Sequence, residues 1–412
     1  MIKKRTVFLL GAGAAIDWDG PTTEQITNSL INQGPSNTNN ELIINYIYEY
    51  FNNGNTKEDK LNFEGLIDII EQCAQYWLSK ELNNSINAKL IPQDCEFWEH
   101  SFSEHYITGY RNYNPKLSPK ANFFSKLLLD CYEVIIYHIR QYSCFTHNIN
   151  RIYCKKNSEI NHLAAQYFQE KSNNSYLRIY SLNYDRVIQA IFQKTNIPFF
   201  QGFASENVVP SIEESHQQVD SKRILTSLNE NCIYHLHGNF SWVVDNTNLN
   251  GLDGYQIVNS YYHSPLENKG FQQTSSEKNK PFFLTPIITG YSKVQRTNLT
   301  PFKQMASAFD IDCHTADELI IIGYSFGDIH INDTIRQAKK SNPNMKITII
   351  TSPRNKELII EKVTMDLTSH WNPYNDFVFE SVKNGDSYSK QFNIHIIYKY
   401  FKDYLKEQPY SL

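Results

Sequence analysis

The strongest constraint on the fold is a series of short, β-branched apolar runs, each closing on glycine or a small polar residue. They are Thr6–Leu10, Leu177–Leu182, Cys232–Leu236, Glu318–Ile322 and Lys346–Ile350. Such runs suit strands that are covered on both faces, the situation of a parallel sheet. A further run, Asn393–Tyr398, predicts a late strand at a sheet edge. Helical spacing fills the gaps. Phe63, Leu66, Ile67, Ile70, Ala74 and Trp77 fall on one helical face, 123–139 is apolar nearly all round, and 161–170 predicts a helix leading into the second strand. The polar, turn-rich stretches 34–40, 205–220 and 245–280 read as loops or insertions.

Strands alternating with helices predict an α/β fold: a doubly wound, mainly parallel, Rossmann-like sheet with a large helical insertion. The expected core is 1–24 with 176–355. Residues 25–175 form the insertion, and 356–412 a carboxyl-terminal extension packed on the core. At 412 residues the chain can bury one large core or two. Hydrophobic residues make up 41% and aromatic residues 14%, which argues against extensive disorder. A net charge of −4 and a pI near 6.4 give no sign of a nucleic-acid-binding surface, so direct nucleic-acid binding is not expected.

The seven cysteines are odd in number and include no Cys-x-x-Cys pair, so free thiols in a reducing cytoplasm are expected rather than a disulfide framework or a zinc ribbon. Met1-Ile-Lys-Lys-Arg5 and the run to Ile16 imitate a secretory signal, with Ala12-Gly-Ala14 as a mock cleavage site. The same run reads as a buried first strand entering a glycine turn, which the downstream strands favour. No stretch is long and apolar enough to span a membrane. The expected location is cytoplasmic.

Ligands of doubly wound sheets bind at the carboxyl ends of the strands. The first strand ends in Gly11-Ala12-Gly13, where glycines let a backbone approach a pyrophosphate, but Ile16 stands where a third fingerprint glycine belongs. Gly20-Pro21 precedes a helix capped by the hydroxyls of Thr22 and Thr23. Asn183 and Asp185 close the second strand; they face one side if extended, and they equally suit a turn held by their own side chains. His235 and His237 close the third, as a pair that could share a strand face and ligate a metal, or as structural histidines. Further ligands with convincing spacing are missing, so no metal site is expected. Gly323-Tyr-Ser325 closes the fourth strand, before a helix near Asn332 and Asp333. Thr351-Ser352 closes the fifth and offers a contact for adenosine.

The order of these motifs resembles the sirtuin (silent information regulator) family. Gly11-Ala-Gly13 and Gly20-Pro21 match its first element, Asn183 and Asp185 its second, Leu236-His237-Gly238 its third and Gly323-Tyr-Ser325 its fourth. The likeness covers the sheet, about half the chain. It departs where protein deacylases carry four zinc-binding cysteines: only Cys313 lies between the His and the G-x-S motif. Thr22-Thr23-Glu24 also replaces the deacylase D-F-R, and the segment before Asn183 is longer. These departures are similar to the sirtuin-like nicotinamide adenine dinucleotide (NAD+) hydrolases of bacterial antiviral defence, some of which pair with a HerA-type ATPase.

The resemblance implies NAD+ as substrate, no permanently bound cofactor and no zinc. Asn183, His237 and Asp185 become the catalytic residues; Gly11, Ala12, Gly13, Pro21, Gly323, Ser325, Thr351 and Ser352 hold the dinucleotide. It implies hydrolysis of the nicotinamide–ribose bond to nicotinamide and ADP-ribose. Since the chain ends soon after its last strands, control is expected from a homo-oligomer or a separate partner such as the HerA-type ATPase. The rival readings are an NAD-dependent protein deacylase or ADP-ribosyltransferase, a non-catalytic nucleotide-sensing or scaffold subunit, and an exported protein with a true signal.

Overall fold

The computed structural model describes residues 3–36, 41–53, 60–80, 118–144, 151–204, 216–245, 256–260, 272–274, 282–289, 296–368, 379–382 and 385–408. Its main sheet contains β1 (Lys4–Leu10), β2 (Ser175–Ser181), β3 (Cys232–His235), β4 (Glu318–Ile322), β5 (Lys346–Thr351), β6 (Glu380–Ser381), β7 (Ser387–Ser389) and β8 (Ile394–Tyr398). Across the sheet they run β6-β7-β8-β5-β4-β1-β2-β3. Every pair from β8 to β3 is parallel, and β6 and β7 are antiparallel additions. This is the doubly wound, mainly parallel α/β sheet that the apolar runs predict.

The run that imitates a signal is the middle of this sheet. Val7, Phe8 and Leu9 of β1 are fully buried, as are Leu177 and Ile179 of β2 and Leu319 and Ile321 of β4. Burying each such side chain contributes roughly 1.5–3 kcal/mol, so the central strands hold the sheet together. The helices Ser158–Asn174, Val187–Lys194 and Phe401–Lys406 pack together as one layer, and Phe302–Thr315, Ile329–Ser341 and Lys356–Thr368 as another. The second layer is tied to the sheet by a buried ion pair: Arg178 Nε donates to Asp312 Oδ2 at 2.6 Å, and Tyr180 donates to the same oxygen. A charge buried this deeply is tolerable only when paired and hydrogen-bonded.

The late strand is not at an edge. β8 lies between β5 and β7, with Ile394 and Ile396 fully buried. The true edge, β6 and β7, comes from the polar stretch 380–389, which has no apolar period to announce it. The stretch 245–280, read as loops or insertions, contains Gln256–Ser260 and Gln272–Thr274, which run antiparallel to the flanking Trp242–Asp245 and Phe282–Leu284 respectively. Most of 205–220, along with 37–40 and parts of 245–280, lies outside the described residues.

By contacts the chain divides into two compact units. One comprises 1–20, 139–239 and 297–412 and contains the sheet; the other comprises 21–138 and 240–296. The division differs from the boundaries expected from sequence. Residues 139–175 go with the sheet because the helix Ser158–Asn174 packs on β2, while 240–296 joins the helical residues.

In the helical unit, Phe63, Leu66, Ile67, Ile70 and Ala74 are buried along one face of Phe63–Lys80, as their spacing requires, while Trp77 is half-buried. Arg296 donates to Glu71 and, at 3.1 Å, to the Tyr132 hydroxyl, so a buried charge pair closes that core. No helix among the described residues is long and apolar enough to cross a membrane. The cysteines among them are free.

Candidate functional site

Register brings the strand ends level. Leu10 pairs with both Ser181 and Ile322, and Ser181 pairs with His235. One further ladder bond follows each strand: Leu182 N donates to Leu10 O, Leu236 N to Ser181 O, Gly11 N to Ile322 O and Gly323 N to Ile350 O, each at 2.9 Å. The chain order also reverses here, since β2 and β3 lie on one side of β1 while β4 and β5 lie on the other. Such a switch point splays the loops and opens a crevice at the carboxyl ends.

On the β4 side the crevice is built from backbone. Gly13 N donates to Gly323 O at 2.9 Å. A Cβ on Gly11 would lie 2.6 Å from Gly323 O, and one on Gly13 would lie 2.7 Å from Gly323 Cα. Gly323 has φ +61, and its Cβ would stand 2.3 Å from Ala14 N. The two turns thus touch main chain to main chain, which only glycine permits. The sequence reading assigned these glycines to a pyrophosphate; their first task in the structure is to let the β1 and β4 turns meet. Ala12 is exposed at the start of the 3-10 helix Ala12–Trp18.

Beyond Gly323, the Tyr324 hydroxyl accepts from Asp328 N at 3.0 Å and donates to Asn332 Oδ1 at 2.8 Å. Asn332 Nδ2 in turn donates to Phe326 O at 3.0 Å. This pins the loop from below and leaves Ser325 exposed on top. Thr351 is buried, and the Ser352 hydroxyl accepts from Arg354 N at 3.3 Å. Pro21 belongs to the helical unit, where Thr22 and Gln25 form a reciprocal cap on the helix Thr23–Ile31.

On the β2 and β3 side the crevice is built from side chains. A small recess has apolar walls from Leu10, Ala14, Ala15, Trp18, Ile188 and Phe401, with Ser181, Asn183, Asp185, Gln189 and His235 as its polar lining. Ser181 Oγ accepts from Asn183 N at 3.0 Å and donates to Asn183 O at 3.2 Å, which folds the chain over at the strand end. Asn183 Nδ2 then donates to Gly11 O at 2.9 Å, tying β2 to the glycine turn. Another side-chain hydrogen bond links Asn183 to the Asp185 carboxylate. The amide hydrogens are thereby engaged, and the carbonyl oxygen is the face of Asn183 left to act as an acceptor.

Asp185 holds the local turn with its own side chain, one of the two roles its position suggests. Its Oδ1 accepts from Val187 N at 2.9 Å, capping the helix Val187–Lys194, and its Oδ2 accepts from the Tyr142 hydroxyl at 3.0 Å. Burial pushes its carboxyl above the usual range, against the hydrogen bonds that lower it. Burial likewise raises the Tyr142 hydroxyl well above its ordinary value, with the Asp185 charge adding to the rise.

The two histidines part company because β3 ends at His235. His237 follows in a turn closed by Gly238 at φ 91, so the two do not share a strand face. His235 lines the recess and is buried. Its Nδ1 meets Asn183 O at 2.9 Å, and its Nε2 receives Gln189 Nε2 at 2.5 Å and Asn239 Nδ2 at 3.0 Å. These partners place the proton on Nδ1. Burial lowers its pKa to about 4. His237 is also buried, with its ring centroid 6.2 Å from that of His330, and it is not among the residues lining the recess. Among the described residues, no group of three or more His, Cys, Asp or Glu side chains could hold a metal ion.

Sequence reasoning passed over Gln189, Tyr142, Trp18 and Phe401 as site residues, and it weighed His235 as half of a metal-ligating pair or as a structural histidine. No spacing rule finds Tyr142 from Asp185. The one available signal was Gln189, an amide among the buried Val187, Ile188, Ala190, Ile191 and Phe192.

Residues 177–370 match the family model described as "SIR2-like domain". That stretch, from β2 to beyond β5, is similar to a SIR2-like domain. None of the curated proteins matches the chain. Distant likenesses among solved structures include "Structure of Sir2Tm bound to a propionylated peptide", at 10% identity over 98% of this chain and 91% of that one, with a TM-score of 0.35. "Sir2-p53 peptide-NAD+" has the same identity, coverage and TM-score. A "Sir2 homolog-NAD complex" is 10% identical over 89% of this chain and 91% of that one, with a TM-score of 0.30. Likenesses this distant add nothing to the strand order already described.

Proposed function

We propose that the chain is an NAD+ hydrolase that cleaves the nicotinamide–ribose bond to give nicotinamide, ADP-ribose and a proton. The observation that carries this reading is the pair of adjoining strand ends within the SIR2-like stretch. There Asn183, bonded to the glycine turn after β1, stands beside the end of β3 that leads into His237.

Breaking that bond turns a cationic leaving group neutral and builds oxocarbenium character on the ribose, so the protein must position the sugar, stabilise the charge and direct a nucleophile. Asn183 contributes its carbonyl oxygen, which accepts from a ribose hydroxyl or the attacking water. His237 takes the proton as water adds to the anomeric carbon. Asp185 acts by shape rather than by proton transfer, since it caps the helix that carries Gln189. Gly11, Ala12, Gly13, Gly323 and Ser325 hold the phosphates and ribose, Thr351 and Ser352 lie toward adenosine, and Pro21 shapes the exit from the first turn.

An enzyme that drains NAD+ harms its own cell if always active. Gating by self-association, or by a separate partner such as a HerA-type ATPase, belongs to this reading, as does a cytoplasmic setting in antiviral defence. The test is an NAD+-loss assay on the purified chain, alone, with its genomic-neighbour proteins, and with acylated peptides. Release of nicotinamide and free ADP-ribose without peptide supports hydrolysis. Turnover that requires an acylated peptide makes the chain a deacylase, and tight ADP-ribose binding with no turnover under any condition makes it a sensor.

A further inference from the structure

We propose that His235 is a positioning residue for the reaction centre: as the Nδ1–H tautomer it fixes the main chain of Asn183, and through it the side of the Asn183 carboxamide that meets the substrate. This rests on the reading of Asn183 as a reaction-centre group.

Five bonds carry it. His235 Nδ1 donates to Asn183 O at 2.9 Å, on the same residue whose Nδ2 reaches Gly11 O at 2.9 Å. On its far side, Gln189 Nε2 and Asn239 Nδ2 both point at His235 Nε2. Asn239 also donates to Asp185 O at 3.0 Å, so the imidazole joins the end of β3 to both ends of the Asn183–Asp185 turn. The ring thus has donors on one nitrogen and an acceptor on the other, which leaves it no place to take up or release a proton during turnover. The lowering of its pKa to about 4 by burial agrees with a ring that is neutral near pH 7. An apolar side chain in this position removes the partner of the buried Gln189 amide and leaves the Asn183 carbonyl with the Ser181 hydroxyl alone. A displacement of about 1 Å in Asn183 is enough to cost on the order of a hundredfold in rate.

The experiment compares His235→Asn with His235→Leu in the full chain, using NAD+ hydrolysis. In Asn the side-chain amide occupies the place of Nδ1 and still donates to the Asn183 carbonyl. The expected result is a loss in kcat of about tenfold to a hundredfold for His235→Leu with KM within about threefold. For His235→Asn, kcat returns to within about threefold of the parent. In an Asn183→Ala background, neither substitution lowers kcat further. An Asn variant as inactive as the Leu variant, or a full additional loss in the Asn183→Ala background, overturns the proposal.

Two measurements stand apart from activity and from the folding of the Leu variant. Nitrogen NMR of the His235 ring in the parent protein is expected to show a neutral Nδ1–H tautomer at neutral pH; a charged ring or the Nε2–H form overturns the assignment. A crystal structure of His235→Asn is expected to keep the Asn183–Gly11 bond. If the parent chain hydrolyses no NAD+, the proposed function fails while the tautomer and this bond still decide whether His235 positions Asn183.

Discussion

The two sides of the crevice are made differently. On the β4 side of β1 the turns meet through glycine backbones, and the Ser325 side chain is exposed. Toward β2 and β3, the half-buried Asn183 and the buried Ser181, Asp185, Gln189, His235, Asn239 and Tyr142 form one hydrogen-bonded web. The comparison teaches that similar-looking motifs at strand ends serve two ends: one set makes room for backbone to approach, and the other orients functional groups. Substitutions on the two sides should therefore fail in different ways.

The largest effect is expected at Gly323. A Val there must adopt φ near +61 with its Cβ 2.3 Å from Ala14 N, so the β1 and β4 turns must separate. We expect a loss of more than about 4 kcal/mol, the range of severe backbone and overpacking defects, and little folded protein. Thermal melting and expression level measure it. A Gly323→Val protein that melts within a few degrees of the parent would show that the backbone contact is not what joins the two sides.

Next comes the pH dependence of stability through His235. The unfolded chain binds a proton near the ordinary histidine value of 6.5, whereas the folded ring binds one only near 4. Between those values the unfolded state holds more protons, so stability falls as pH drops from about 6.5 to 4, is complete above that window and levels off below it. The drop is about 3 kcal/mol for this residue. Asp185 works in the opposite sense: burial raises its carboxyl, so acid relieves a cost that is present at neutral pH. The difference between parent and His235→Asn in denaturant melts at pH 7 and pH 4 isolates the histidine, and equal slopes in the two proteins would refute the assignment.

On activity, Asn183→Ala and His237→Ala are each expected to lower kcat for NAD+ hydrolysis by about a hundredfold or more, the scale of a lost acid–base or orienting group. Melting temperature should change by only a few degrees, in contrast to Gly323→Val. Near-normal turnover in both purified variants would remove the proposed reaction centre while leaving the fold untouched.

What could be read from the sequence follows the same divide. The five apolar runs located the central strands within a residue or two, because a strand buried on both faces writes its pattern locally. The strand ends were legible for the same reason. β6 and β7 were not, since edge strands made of Glu380, Ser381, Ser387 and Ser389 carry no apolar signal. Nor was the web around His235 legible: Tyr142 lies 43 residues from Asp185, and His235 lies 52 from Asn183, separations at which no periodicity connects partners. The two histidines of His235-Leu-His237 look equivalent in sequence. They separate only because the strand stops at the first of them.

The smallest and most discriminating prediction concerns Ser325. Its carbonyl accepts from Lys362 Nζ at 3.1 Å, while its hydroxyl makes none of the hydrogen bonds among the described residues and stands exposed at the crevice. Removing that hydroxyl leaves no buried partner stranded, so Ser325→Ala should alter the melting temperature by about one degree at most. If the hydroxyl holds a phosphate or ribose of NAD+, its loss removes one hydrogen bond from substrate and transition state alike. KM then rises about threefold to tenfold, equivalent to about 1 kcal/mol, with kcat unchanged. A fall in kcat instead would place Ser325 with the chemistry of the β2 and β3 side. No change in either constant would mean that the glycine side of the crevice is scaffold alone.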